Sequence, residues 1–469
     1  MSAQNHKALI IAEYIAPVQA IASIRWTKFA KYLSKNHGYD VTVLTNRKSY
    51  KKGVFQSKPY SKDYALEKDE VYFNTCEIPY SFGQFASNAL FNLGKNILDA
   101  IKAHSAKAPE LSKAHAPVSQ SPKENGQAGS VIEAFLANSF PEKVIGFVEA
   151  WCGGSIFHAG IKASVDWGSY DIIISTYGPL WTHRIAANVK GRYPHIYWVA
   201  DFRDPIVRSA RTDTPDKRNL ARSITKDADL ITAVSQGTLD NLFLDSSAHT
   251  SILVNGFDPE EVPEAKKGSA GLFCLVYTGT LYSDGSCKSD LDPLFQALEQ
   301  IIESGEMDRE DVLIEYAGST SHQFEQFASM HPAIPVCDHG LLARDKALEL
   351  QSNASVLVVA SWNTSQQTGV LTGKVFEYLS RGVPILGLCS GDIPNSRLRE
   401  LIEDCFAGVC YEEADKNSYD QLISFLRTQY LCWKEEGHTF RDQRATEAVA
   451  QYSYPELTNR FIGLVKQEP

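Results

Sequence analysis

The stretch Thr368-Gly369-Val370-Leu371-Thr372-Gly373-Lys374-Val375-Phe376-Glu377-Tyr378-Leu379-Ser380-Arg381 holds residue types suited to gripping a phosphate. A Gly/Thr-rich loop runs into a helical pattern, and the unpaired amides at a helix start, with the helix dipole, attract an anion. At helical spacing Lys374, Glu377, Tyr378 and Arg381 share one stripe, opposite Val375, Phe376 and Leu379. Lys374 suits the neutralisation of a diphosphate. Glu377, one turn on, suits accepting hydrogen bonds from ribose hydroxyls. A solvated helix face would carry the same pattern. The segment is not a P-loop, because the spacing to Gly373-Lys374 is one residue short and Val375 stands where Ser or Thr would hold magnesium.

Two further clusters have chemical potential. The Gly279-Thr280 turn follows an apolar strand pattern and fits a phosphate-side loop, with Lys288 just before a helix start near Ser289. Asp201-Phe202-Arg203-Asp204-Pro205 follows the strand pattern Tyr197 to Ala200, which places two carboxylates and a guanidinium at a strand's carboxyl end. Such a group could orient a hydroxyl nucleophile or balance a developing oxocarbenium charge. An Arg-Asp pair fixing the turn before Pro205 is the alternative. His183 and His339 each read as structural histidines. No Gly-x-Ser-x-Gly elbow, His-Glu-x-x-His or dinucleotide Gly-x-Gly-x-x-Gly occurs, and no metal or cofactor is indicated.

These residues need a scaffold, and the apolar patterning describes one. Short β-rich runs fall near 8–12, 40–45, 171–175, 195–200, 229–234 and 251–254, then near 272–278, 312–317, 354–359, 383–388 and 406–410. Helix-length segments separate most of them, as in Ile24 to Leu33 with Trp26, Phe29, Ala30 and Leu33 on one face. The alternation predicts two successive doubly wound α/β domains with a cleft between their strand ends. We expect an N-terminal domain over 1–258, a linker over 259–267 where Pro, Glu, Lys and Gly crowd together, and a C-terminal domain over 268–450. Residues 451–469 are expected to form a terminal helix packing back on the first domain. Residues 103–130, rich in Ala, Ser, Pro, Lys and Gln, predict a mobile insertion.

Composition narrows the function. The 469 residues are 43% hydrophobic, enough for large cores, and carry 46 Lys plus Arg against 56 Asp plus Glu. The net charge of -10 argues against nonspecific nucleic-acid binding but leaves room for a local basic patch. The nine cysteines are scattered with no Cys-x-x-Cys, which predicts buried reduced thiols in a cytoplasmic protein. The polar Met1 to Lys7 stretch and the absence of any run near 18 apolar residues predict neither signal peptide nor membrane span.

The segment Thr372 to Ile385, ending Ser380-Arg381-Gly382-Val383-Pro384-Ile385, resembles the donor site of the retaining glycosyltransferases of family four, which have the GT-B fold. The resemblance spans nearly the whole chain. It continues in Ile24-Arg25-Trp26-Thr27-Lys28-Phe29-Ala30-Lys31-Tyr32-Leu33, Gly38 to Thr45, Ile174 to Pro179, Asp201 to Pro205, Thr232 to Ser235, Val254 to Asp258 and Tyr277 to Leu281, in order. It implies donor-binding roles for Gly279, Thr280, Lys288, Thr372, Gly373, Lys374 and Glu377. It implies catalytic roles for Arg203, Asp204 and Lys288, the lysine clamping the departing diphosphate. It puts Arg25 and Asp201 on the acceptor side. Two positions depart from the family pattern. Gly369 stands where the first carboxylate of a Glu-seven residues-Glu pair would touch the donor sugar, and Gln19-Ala20-Ile21-Ala22 replaces a glycine pair near the donor phosphate.

The resemblance implies transfer of a sugar from a nucleoside diphosphate sugar to a hydroxyl of a glycan or lipid-linked acceptor, with retention, in cell-surface polysaccharide or lipopolysaccharide assembly. The donor is a substrate and no cofactor is implied. The aromatic-rich stretches 82–101 and 131–157 could rest on the inner face of a membrane, an ordinary core being the other reading. A nucleotide-sugar epimerase on the same fold and a non-catalytic nucleotide-sugar-binding subunit are the alternative functions.

Overall fold

The computed structural model describes residues 6–18, 20–46, 64–78, 154–204, 206, 215–261, 271–284, 287–437, 439, 442 and 444–466. The expected insertion at 103–130, the stretch 82–101, most of 131–157 and most of the expected linker lie outside the described residues.

The first half builds a seven-stranded sheet from β1 (Lys7–Ile11), β2 (Asp40–Thr45), β3 (Asn74–Glu77), β4 (Ile172–Thr176), β5 (Tyr197–Phe202), β6 (Leu230–Ala233) and β7 (Thr250–Ile252). The order is β3-β2-β1-β4-β5-β6-β7 and every neighbouring pair is parallel. A parallel sheet is covered on both faces, which is why Ile172-Ile173-Ile174-Ser175-Thr176 is buried throughout. Successive side chains serve opposite cores: Ala8, Ile10, Ile172 and Ile174 join one cluster, Leu9, Ile11 and Ile173 the other.

Helix α1 (Ile21–His37) presents Trp26, Phe29, Ala30 and Leu33 to the first of these cores. It stops at Gly38, where φ is 68°: the amides of Gly38 and Tyr39 return to Ser34 O and Leu33 O, closing the last turn in a left-handed conformation that suits glycine. The last described helix, Tyr454–Lys466, adds Tyr454, Leu457 and Phe461 to the same core. Its Phe461 ring meets Trp26 at 5.8 Å and its Tyr454 ring meets Phe29 at 5.5 Å.

The second half builds a six-stranded parallel sheet in the order β12-β11-β8-β13-β14-β15. Its strands are β8 (Phe273–Thr278), β11 (Val312–Ala317), β12 (Val336–Asp338), β13 (Val356–Trp362), β14 (Ile385–Ser390) and β15 (Gly408–Glu412). A small antiparallel hairpin, β9 (Ser283–Asp284) with β10 (Cys287–Lys288), follows β8. The Asp292–Glu303 helix carries Leu294, Phe295, Leu298 and Ile301 into one core of this sheet, and the Gly373–Leu379 helix fills the other with Val375, Phe376 and Leu379. The two halves form two doubly wound Rossmann-like domains, the arrangement called GT-B. Among the described residues no helix is long and apolar enough to cross a membrane.

Candidate functional site

In parallel sheets of this kind, ligands sit beyond the carboxyl ends of the strands. At that edge of the second sheet, β8 is followed by Gly279 and β13 leads through a loop into the Gly373–Leu379 helix. Gly279 has φ 144°, a left-handed value, and a Cβ placed on it would lie 3.8 Å from Lys374 Cγ. The turn and the lysine are therefore neighbours, although 95 positions separate them in sequence. Tyr378 joins the same two elements: its hydroxyl accepts the Thr278 N–H at 2.8 Å. Thr372 precedes the helix in extended conformation but does not cap it with its side chain, and its Oγ1 is buried without a partner.

Glu377 is only 8% exposed, so the stripe it belongs to is not a solvated face. Tyr378 and Arg381, on the same stripe, are buried as well. Glu377 Oε1 accepts from Lys374 Nζ at 2.8 Å and from Gln351 Nε2 at 2.7 Å, and Oε2 accepts from Arg344 Nη1 at 2.9 Å. Gln351 also donates to Thr278 Oγ1 at 2.8 Å, which ties the carboxylate to β8. Burial alone would raise the Glu377 pKa. The charges of Lys374 and Arg344 and the hydrogen bonds from Lys374 and Gln351 outweigh it and hold the carboxyl well below its ordinary value. The result is an oriented, ionised carboxylate with two cations around it.

Arg344 extends this network across the molecule. Its Nη2 reaches Glu261 Oε2 at 3.0 Å, and Glu261 Oε1 accepts from Lys28 of α1 at 2.6 Å. The chain of charges therefore runs Lys374–Glu377–Arg344–Glu261–Lys28. Sequence reasoning missed Arg344, Gln351 and Glu261. Each lies far from Glu377 along the chain, and no local spacing marks them.

Of the remaining expected residues, Thr280 and Gly373 belong to this same edge and the others stand elsewhere. Lys288 stands on the β9–β10 hairpin; its Nζ pairs with Asp290 at 2.6 Å and its side chain is 54% exposed. Its backbone oxygen accepts from Ser390 Oγ at 2.5 Å, which holds the hairpin over the end of β14. Thr280 Oγ1 lies 3.3 Å from Ser319 Oγ, while its carbonyl accepts from Tyr277. Gly373 begins the helix.

At the mouth of the first sheet, Arg203 spreads over the Tyr14 ring at 5.3 Å, donates to Gly178 O at 3.4 Å and lies 3.3 Å from Asp204. Arg203 and Asp204 are partly exposed and able to meet a ligand. Arg25 and Asp201 are not. Asp201, fully buried, accepts from Arg25 Nη2 at 2.8 Å, Arg25 Nε at 3.1 Å, Trp26 Nε1 at 2.7 Å and Thr232 Oγ1 at 2.8 Å. Arg25 spends its other donors on Leu253 O, Val254 O and Asn255 Oδ1. In the structure this expected acceptor-side pair joins elements of the first domain. Their polar groups are consumed in joining α1, β5, β6 and the chain after β7, and none is left for a substrate.

The departure at Gly369 has a structural cause. Gly369 has φ 70°, and a Cβ on it would lie 3.0 Å from Gly237 N and 3.2 Å from Gly237 Cα. The loop before the Gly373–Leu379 helix thus presses on the backbone of the first domain, and a side chain there would be strained by the left-handed backbone and tight against that main chain.

No family model and no curated protein matches the chain. Solved structures do. The lipopolysaccharide outer core galactosyltransferase WaaB in its apo form aligns over 98% of this chain and 99% of its own, with TM-score 0.52 and 12% identity. Anabaena HepE in complex with UDP aligns over 99% and 100%, with TM-score 0.55 and 12% identity. A UDP-forming α,α-trehalose-phosphate synthase from Burkholderia xenovorans aligns over 99% of both chains, with TM-score 0.59 and 9% identity. At these identities the likeness is one of fold.

Proposed function

We propose that the chain is a glycosyltransferase that uses a nucleoside diphosphate sugar. The observation that carries the reading is the ionised, buried Glu377 with Lys374 beside the side-chain-free Gly279 turn, at the carboxyl edge of a parallel sheet. In this reading the diphosphate lies along Gly279, Thr280, Thr372, Gly373 and Lys374, and Glu377 accepts from the ribose hydroxyls. Lys288 neutralises the departing diphosphate. Arg203 and Asp204, from the facing domain, orient the acceptor hydroxyl. The bond from the anomeric carbon to the diphosphate oxygen breaks, the acceptor oxygen bonds that carbon, and the acceptor proton leaves to a basic oxygen nearby. Developing negative charge on the leaving group is what fixed cations stabilise.

The finer reading is transfer with retention to a glycan or lipid-linked acceptor in cell-surface polysaccharide or lipopolysaccharide assembly, on the inner face of a membrane. The fold shared with a lipopolysaccharide galactosyltransferase supports that setting, and the UDP held by HepE makes uridine nucleotides the first to try. The test is a panel of nucleotide sugars with glycan acceptors, followed by release of nucleoside diphosphate. Acceptor-dependent release supports a transferase. Conversion of the sugar without release would replace the reading with an epimerase, and neither reaction would leave a binding subunit.

A further inference from the structure

The edge of the second sheet carries a mixed set of metal-ligating side chains that the proposed transfer does not use. Cys337 of β12 is paired in register with Glu315 of β11, so their side chains leave the sheet on the same face. His339 follows Cys337 by two positions, and its N–H continues the ladder by donating to Tyr316 O at 2.9 Å. Alternation then returns the His339 side chain to the face of Cys337, with Asp338 on the other. One ligand atom from each of Glu315, Cys337 and His339 lies within 4.8 Å of the other two.

We propose that Glu315, Cys337 and His339 form a binding site for a divalent cation of the zinc class, which fastens the edge strand β12 to β11. With bonds of about 2.0–2.3 Å, tetrahedral zinc places its ligand atoms roughly 3.3–3.8 Å apart. The trio therefore needs only small side-chain adjustment, including the opening of the 2.9 Å contact between His339 Nε2 and Glu315 Oε1. A thiol, an imidazole and a carboxylate suit zinc, cobalt or nickel, whereas magnesium and calcium prefer oxygen alone. Cys337 and Cys274 are both free thiols. Cys274, on the adjoining β8, interacts with the same Glu315 carboxylate.

Charge balance separates this trio from the other carboxylate cluster of the molecule. Asp69, Asp258 and Glu261 also converge, but the Lys28 ammonium sits among them at 2.6, 2.8 and 2.6 Å and occupies the place of a cation. Among the described residues Glu315 has no Lys or Arg ion-pair partner, only His339. The mechanical gain is local. β12 has three residues and pairs with β11 alone, which makes it a short edge strand with few bonds of its own.

The test is titration of the chelator-stripped full-length chain with Co²⁺, read by the thiolate-to-cobalt charge-transfer band and displaced by Zn²⁺. We expect one equivalent with a thiolate band in the wild type, loss of that band in Cys337→Ser, and at least tenfold weaker binding in His339→Ala and Glu315→Gln. Cys432→Ser, on the Ser418–Glu436 helix, should leave the band unchanged. Zinc should raise the thermal midpoint of the wild type and not of Cys337→Ser, with both melting alike in chelator. Absence of the band in the wild type, or its survival in Cys337→Ser, overturns the proposal.

Discussion

Replacing Glu377 by Gln preserves shape and removes one buried negative charge. In the wild type that charge is paired with Lys374 at 2.8 Å and Arg344 at 2.9 Å, with the Glu377 side chain 11% exposed. Removing one member of a buried ion pair costs about 3–5 kcal/mol when the partner is stranded. Here the partners are not fully stranded: Arg344 keeps Glu261 at 3.0 Å, and the Lys374 side chain, 25% exposed, can turn to water. The loss should therefore fall below that range, at about 2–3 kcal/mol near pH 7. Its pH dependence is specific. The folded pKa of Glu377 is depressed, so its stabilisation is fully present above the unfolded value and is lost as pH falls from there toward the folded one. Urea unfolding of both proteins at several pH values should show the gap constant at neutral pH and shrinking below about pH 4.3. A variant as stable as the wild type at pH 7, or a gap that does not shrink in acid, would refute the assignment of Glu377 as a buried, ionised anchor.

Asp201→Asn should destabilise by about 3–5 kcal/mol, because it leaves the buried Arg25 guanidinium without its counter-charge, as read by thermal or urea unfolding. Gly369→Glu should cost about 1–3 kcal/mol through its left-handed backbone and the nearby Gly237 main chain, and should weaken nucleotide binding by displacing the loop. Arg203→Ala should lower turnover far more than nucleotide affinity, with kcat and nucleotide Kd measured side by side; equal losses would place Arg203 in the donor pocket.

The sheets were legible in the sequence where the strands are apolar and central. The runs at 40–45 and 312–317 coincide with β2 and β11, and most of the others are displaced by one to two residues. Three elements left no such trace. β3 is Asn-Thr-Cys-Glu, β12 is Val-Cys-Asp, and the β9–β10 hairpin is two residues a side. The first two sit at sheet edges, where burial does not demand apolar residues, and all are too short for a periodicity to develop. Lys374, Glu377 and Gly279 could be singled out because a helix repeat and a turn after a strand are local patterns. What holds Glu377 could not, since Arg344 and Gln351 reach it only through the tertiary fold. The same limit explains Arg25 and Asp201: 176 positions apart, each looks like a candidate for chemistry until their pairing in the core is visible. The missing carboxylate at Gly369 reads as a loss in sequence and as a packing requirement in space.

The most direct test of the central claim is calorimetric titration of the wild type and Lys374→Ala with UDP, ADP and GDP at low and high salt. The account predicts saturable 1:1 binding of at least one diphosphate, weaker binding of the matching monophosphate, and a loss in Lys374→Ala that shrinks as salt screens the phosphate attraction. Failure of every diphosphate to bind, or binding indifferent to Lys374 and to salt, would contradict it.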